Sequence, residues 1–257
     1  MAKHPSDIAS DRAERISGVD SQIGRAFIGL REMLLHGELA RGERISELPL
    51  VARLGTSRTP IRLALERLAH MGLLDVVATG GFAVRGFSLA EVQDAIELRG
   101  VLEGTAARFA AERLRDGSEL DTMRRYCAQM EALDGLTIDT FAAYMDLNES
   151  FHSALIDLAK SAMLRRNIAQ VSSLPFASAS AMVTPTSVLP NAGANLVIAN
   201  DHHRSIVEAI ALRQGARAES LAREHAFVAR RVLGVALSDT DALSRIPGGP
   251  LIHVSAT

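Results

Sequence analysis

The chain has one cysteine, no tryptophan and only 4% aromatic residues in its 257 positions. A single cysteine, Cys127, forms no intrachain disulfide and excludes a cysteine-rich zinc site, so its expected role is helix packing. Long apolar runs are missing too. Nothing approaches the ~20 residues of a membrane span, and the N-terminus lacks the charged-then-apolar pattern of a secretory signal. A cytoplasmic protein without membrane contact is expected. Nor does charge of one sign dominate: 28 Lys and Arg face 30 Asp and Glu, a net of −2, which excludes a globally basic coat for nucleic acid. No repeat of fixed period is present. What remains is a globular composition, 47% hydrophobic and 23% charged, in a chain long enough for two cored domains.

The charge is unevenly placed. Residues 22–85 hold nine Arg against six Asp and Glu, a net of +3, so the remainder carries −5. Within that basic segment lies LGTSRTPIRLALERLAHMGLL, Leu54 to Leu74. Gly55 and Thr56 interrupt a preceding helical pattern, and Ser57 is placed as an N-cap whose hydroxyl can take a first-turn amide. Pro60 falls in the first turn, where a missing N–H costs little. Ile61, Leu65 and Leu68 define a core face, while Arg58, Thr59 and Arg62 lie at the helix start or on the opposite flank. An ordinary amphipathic helix with a solvated arginine face gives the same local pattern. Its surroundings favour a recognition helix. Ile45 to Leu54 reads as a short helix capped by Ser46 with Pro49 in its first turn, completing a helix-turn-helix. After it, DVVATGGFAV places two β-prone runs around Thr79-Gly80-Gly81, a wing. Ile23, Phe27, Leu30 and Leu34 describe one further helix, from Ser21 to His36, expected to back this motif.

From Ser88 onward the patterning is helical almost throughout, with breaks near Gly117, Gly135 and Gly215 and no convincing strand. The expected fold is mainly α: a winged helix-turn-helix over 19–87, then an all-α bundle over 88–235. The remainder is read as a mobile arm over 1–18 and a mobile tail over 236–257. Ser88 and Glu91 have capping-box spacing, which puts the domain boundary near 86–88. Ser172 to Asn195, with three prolines, is expected to include a surface loop.

A second chemical signal lies in the bundle. Asn148 and His152 are four apart and share a helical face. His203 lies 11 positions before Gln214, and His225 lies 11 after it. If the chain folds back there into an antiparallel hairpin, the two imidazoles stand at one level. Three imidazoles and an amide oxygen from three helices suit a divalent ion such as zinc, nickel or manganese, with positions left open for a ligand. Satisfied polar groups in a helical core would show the same spacing. Arg99 is a basic residue able to pair bidentately with a carboxylate, or alternatively to form an ion pair with Glu103. An open metal could also activate water, so a metal-dependent hydrolase is the competing function. That reading lacks a general base: no Glu follows a histidine in HExxH order, and Glu149 lies on another face.

The segment LGTSRTPIRLALERLAHMGLL resembles the DNA-reading motif of the GntR superfamily of bacterial transcription regulators. By position, the resemblance implies DNA contacts at Arg44, Ser57, Arg58, Thr59 and Arg62, with Gly80 and Gly81 at the wing tip. Many members carry an arginine just before the wing glycine, where this chain has Gly80. The chain after residue 88 looks like the FCD effector domain of the FadR branch. NESFH, HHRSIVEAI and AREHAF match the metal-binding places of its VanR-like members, which implies Asn148, His152, His203 and His225 as ligands and leaves His202 aside. The resemblance further implies a double-stranded DNA operator, repression as the usual mode, a homodimer, and a small organic acid bound beside the metal with Arg99. On this reading the protein is not an enzyme.

Overall fold

In a computed structural model the described residues are 21–133, 138–181, 192–237 and 240–253. The arm expected over 1–18 and the break near Gly135 lie outside them. The chain divides into two compact units, Met1–Gly86 and Phe87–Thr257.

In the first unit, α1 covers residues 21–35, α2 runs Glu47–Leu54 and α3 runs Arg58–His70. Ala26, Leu30 and Leu34 of α1 are buried, as are Leu50 of α2 and Ile61, Ala64, Leu65 and Leu68 of α3, so three amphipathic helices close one core. Arg67 covers the half-buried Phe27 ring, its guanidinium 4.3 Å from the centroid. Gly55 takes the left-handed conformation, φ 60°, that turns α2 into α3. The wing is β1, Leu74–Val76, antiparallel to β2, Phe82–Val84. Gly80 and Gly81 turn it with φ of 90° and 84°, a conformation costly for any residue with a Cβ.

The caps of α2 and α3 differ from expectation. Ser46 and Ser57 occupy the N-cap positions with extended backbone, yet neither side chain makes a cap hydrogen bond. The sequence removes one of the two possible partners. An N-cap hydroxyl bonds the amide two or three positions on, and three positions after each serine stands a proline, Pro49 or Pro60, which has no N–H. Ser88 shows the contrast: Glu91 follows it at that spacing, and a full capping box forms.

The second unit is built on α4, Leu89–Arg113, and α9, Gly215–Leu237, its most extensive helix pair. Gly100 and Gly104 allow this closeness. A Cβ on Gly100 would lie 2.9 Å from Ala226 Cβ, and one on Gly104 would lie 2.9 Å from the Glu219 carbonyl oxygen. Around the pair stand α5, Asp121–Glu131, α6, Ile138–Leu158, α7, Ala162–Ser172, and α8, Ala192–Ala211. Cys127 is buried in the core shared by α4, α5, α6, α8 and α9. The α8–α9 turn closes through Gln214 N–H donating to Ala209 O at 2.8 Å, with Arg213 at φ 55°.

The run Ser172 to Asn195, expected to include a surface loop, holds a 3-10 turn at Pro175–Ala177 and the start of α8 at Ala192, while 182–191 lie outside the described residues. Two expectations are corrected in this unit. The tail expected from 236 is structured where described. It carries α10, Thr240–Arg245, a 3-10 turn at Gly249–Leu251, and β4, Ile252–His253, paired in parallel with β3, Phe87–Ser88. Burial drives this. Leu251 and Ile252 are buried, and so are Leu243 and Ile246, so prolines and glycines that read as disorder instead shape turns between apolar anchors. The pairing also adds a strand to a bundle expected to have none. Among the described residues no helix is long and apolar enough to cross a membrane.

Candidate functional site

The basic unit presents a continuous polar edge. Ser57, Arg58 and Thr59, at the start of α3, and Arg62 one turn on are exposed, while Pro60 and Ile61 between them are buried. Alternation of buried and exposed positions within one turn fixes the helix on its core and leaves these side chains in solvent. Arg62 Nε donates to Glu66 Oε1 at 3.3 Å, an exposed i,i+4 pair that costs little to break. Arg44 Nη2 donates to Thr79 Oγ1 at 2.8 Å and to the Gly80 carbonyl at 3.0 Å. A guanidinium therefore stands at the wing tip although the tip itself is Gly80-Gly81. The sequence placed Arg44 and the glycines separately and did not bring them together; the isolated bridge between Arg44 and Ala83 is what joins them.

The histidines converge inside the second unit. His152 on α6, His203 on α8 and His225 on α9 are all buried, and one nitrogen of each lies within 4.8 Å of the others. His225 Nε2 is 3.2 Å from His203 Nε2 and 3.3 Å from His152 Nε2. Burial, then the neighbouring imidazoles, hold His203 and His225 well below the usual histidine range, so both are neutral donors of a lone pair. His202 is beside the cluster, its ring centroid 6.0 Å from that of His225, and does not join the converging nitrogens.

Glu103 on α4 orders one of these rings. Its Oε2 lies 3.1 Å from His152 Nδ1, a hydrogen-bond distance whose direction is off the ideal N–H line. Burial favours the neutral carboxyl, but the adjacent His152 and Arg99 and the His152 hydrogen bond outweigh it and take Glu103 down to about 2. A carboxylate beside Nδ1 favours the tautomer with its proton on that side, which would leave Nε2 as the lone-pair donor toward the cluster. By sequence spacing alone Glu103 is only a possible partner for Arg99. Arg99 instead donates from Nη1 to the Ser178 carbonyl at 3.1 Å, is 2% exposed, and has no hydrogen-bond partner at Nε. Asn148, one turn before His152, is buried and donates from Nδ2 to Ser180 Oγ at 3.0 Å, which assigns its oxygen, the atom an ion would take, to the other side of the amide.

The donor set fits a metal ion on its own chemistry. Three buried imidazoles whose Nε2 atoms face one another cannot all be satisfied by hydrogen bonds among themselves, since each contact needs one donor and one acceptor. With Zn–N of about 2.0–2.1 Å, neighbouring donors of a tetrahedral ion lie about 3.3 Å apart, close to the two separations found here. The same cluster is poorly equipped for hydrolysis. Its nearby carboxylate, Glu103, lies against His152 Nδ1, whereas the nitrogens that converge with His225 are the Nε2 atoms, so it is occupied behind a ring rather than set beside the converging atoms as a general base.

Comparison with known proteins bears on both units. Residues 24–84 match the family model of bacterial regulatory proteins, gntR family, and residues 94–227 match the FCD domain. Among curated relatives, the Nta operon transcriptional regulator of Aminobacter aminovorans is 34% identical over 131 residues, 51% of this chain and 60% of that protein. The probable D-xylose utilization operon transcriptional repressor of Paenarthrobacter nicotinovorans is 33% identical over 160 residues, 62% of this chain and 67% of that protein. This chain thus spans about two thirds or less of the length of these two relatives. Of solved structures, E. coli McbR/YncC aligns with a TM-score of 0.59 at 19% identity, covering 84% of this chain and 97% of that one. A putative GntR transcriptional regulator from Rhodococcus sp. RHA1 gives 0.55 at 20%, covering 83% and 98%. At those identities the structures speak for the fold. The two family matches and the relatives speak for regulation of transcription rather than catalysis. The chain belongs to the gntR family of bacterial regulatory proteins, with its DNA-binding domain followed by an FCD domain.

Proposed function

We propose that this protein is a cytoplasmic transcriptional repressor of the FadR branch, VanR-like in its FCD domain, whose operator binding is controlled by a small organic acid at a metal centre. The observation that carries the reading is the convergence of three buried Nε2 atoms, with separations of 3.2 and 3.3 Å, from three helices. His152, His203 and His225, with the Asn148 oxygen, hold a divalent ion: zinc, nickel or manganese. When bound, the ion supplies a Lewis-acidic position for the carboxylate of the acid. Because Asn148 contributes no charge, the ion keeps more of its own for that anion. Arg99 supplies the second anchor, since its buried guanidinium can engage the acid through the fork that now holds only a carbonyl.

On the DNA side, Arg58, Thr59 and Arg62 enter the major groove from the first turns of α3, and Ser57 reaches a phosphate with a hydroxyl its helix does not use. Arg44, carried on Gly80 and Gly81, brings its charge to the backbone beside the wing. One such unit covers a small site, so a symmetric operator is read by a homodimer with half-sites set by helical turns. Sedimentation should show a dimer at micromolar concentration; a monomer that still binds a palindromic operator tightly would contradict this.

Metal content tests the centre. His203→Ala and His225→Ala should each lose most of the ion that the purified wild-type chain carries, as counted by plasma mass spectrometry, whereas His202→Ala should keep it. Equal content in all three variants would reject the ligand set.

A further inference from the structure

The short segment from Phe176 to Ser180 touches both the candidate metal pocket and the entrance to α4. At its far end Ser180 Oγ accepts from Asn148 Nδ2 at 3.0 Å, and the Ser178 carbonyl accepts from Arg99 at 3.1 Å. At its near end the Phe176 ring meets Phe87 edge-on, with centroids 4.8 Å apart, and both rings are buried. Phe87 is the first residue of the second unit, directly after Gly86, and it is also the residue that pairs with Ile252 of β4. Residues 240–253, which bring β4 there, lie beyond the 94–227 matched to the FCD domain. Nothing in that match accounts for them.

We propose that Phe176–Ser180, seated on Phe87 and the C-terminal strand β4, is the coupling element that carries the state of the metal pocket to the joint with the DNA-binding unit. The proposal rests on the metal reading above. Its physical basis is the planar Asn148 amide. An ion that takes the amide oxygen fixes the side-chain plane and commits the nitrogen to the opposite side, where it donates to Ser180. Metal occupancy therefore tightens the far end of the segment. Arg99 acts on the same segment in the opposite sense: an anion that engages its guanidinium competes with the Ser178 carbonyl for it. The segment is short and its Phe176 and Ala177 are fully buried, so a change at one end is passed on by packing rather than absorbed. At the other end Phe87 and Ser88 hold the start of α4 through the β3–β4 pair and the Ser88 capping box. The bistable element is then this strand pair, strengthened or loosened through Phe176.

Hydrogen exchange on the full-length chain tests this, with zinc or manganese alone as the probe. Adding metal to chelator-treated protein should slow exchange at amides 85–92 and 250–253 by about fivefold or more, since local opening of the strand pair becomes less favourable. In Phe176→Leu the metal content should be unchanged while the slowing at 85–92 falls below about twofold. Phe176→Trp provides a second readout, because the chain has no tryptophan of its own. Its emission should shift on metal addition, and adding Ser180→Ala, which removes the Oγ that accepts from Asn148 and leaves every proposed ligand in place, should abolish the shift while metal content stays unchanged. Metal uptake that leaves both amide sets exchanging as in the metal-free chain overturns the coupling and leaves the metal centre standing. A wild-type chain that takes up no metal overturns both.

Discussion

At the scale of single residues, the surroundings of three guanidinium groups decide what each does. Arg58 is exposed and has no hydrogen-bond or ion-pair partner among the described residues, and Arg62 has only an exposed pair with Glu66. Both can leave water for a base edge at small cost. Arg58→Ala or Arg62→Ala should therefore weaken specific operator binding by about 1–3 kcal/mol, read by fluorescence anisotropy, if each makes a bidentate base contact. Unchanged affinity in both would sink that role. Arg99 is the reverse case: buried, beside Glu103 and held by one carbonyl. The histidines were legible because equal offsets about Gln214 place His203 and His225 at one level, and the structure puts their Nε2 atoms 3.2 Å apart. Glu103 was not legible as the partner of His152, because no spacing rule links a carboxylate on α4 to an imidazole on α6.

At the scale of elements, two kinds of helix start behave differently although both begin with serine. Ser57 and Ser46 precede prolines and make no cap bond, whereas Ser88 accepts from the Glu91 amide at 3.2 Å. Ser88→Ala should therefore cost about 1 kcal/mol of stability, the usual loss of an N-cap, while Ser57→Ala should cost less than about 0.5 kcal/mol. Urea unfolding of the two variants checks this, and equal losses would show that Ser57 caps its helix after all. Elements with long periodic patterns were legible: α1, α3, α4 and the wing follow directly from apolar spacing and paired glycines. The β3–β4 pair was not, for a physical reason. Each strand has two residues, too few for alternation to register, and they meet from opposite ends of the second unit. The prolines and glycines after residue 236 carried the opposite signal, and only burial of Leu251 and Ile252 reverses it.

At the scale of the molecule, a basic DNA-reading unit and a helical unit with a buried three-histidine cluster are joined at Gly86 and Phe87. Two units of opposite net charge fit a division of labour in which the basic one is suited to an anionic polymer. Operator control requires that the acid bind one arrangement of the protein better than another, because only differential affinity shifts a population. Coupling of this kind is reciprocal: whatever factor the acid imposes on operator affinity, the operator imposes on acid affinity. The direct measurement is a pair of titrations on the metal-loaded chain, operator affinity with and without saturating acid and acid affinity with and without operator. The acid should weaken operator binding by about 1–3 kcal/mol, and the operator should weaken acid binding by the same factor. An acid that binds the metal centre yet leaves operator affinity untouched would contradict operator control by the acid.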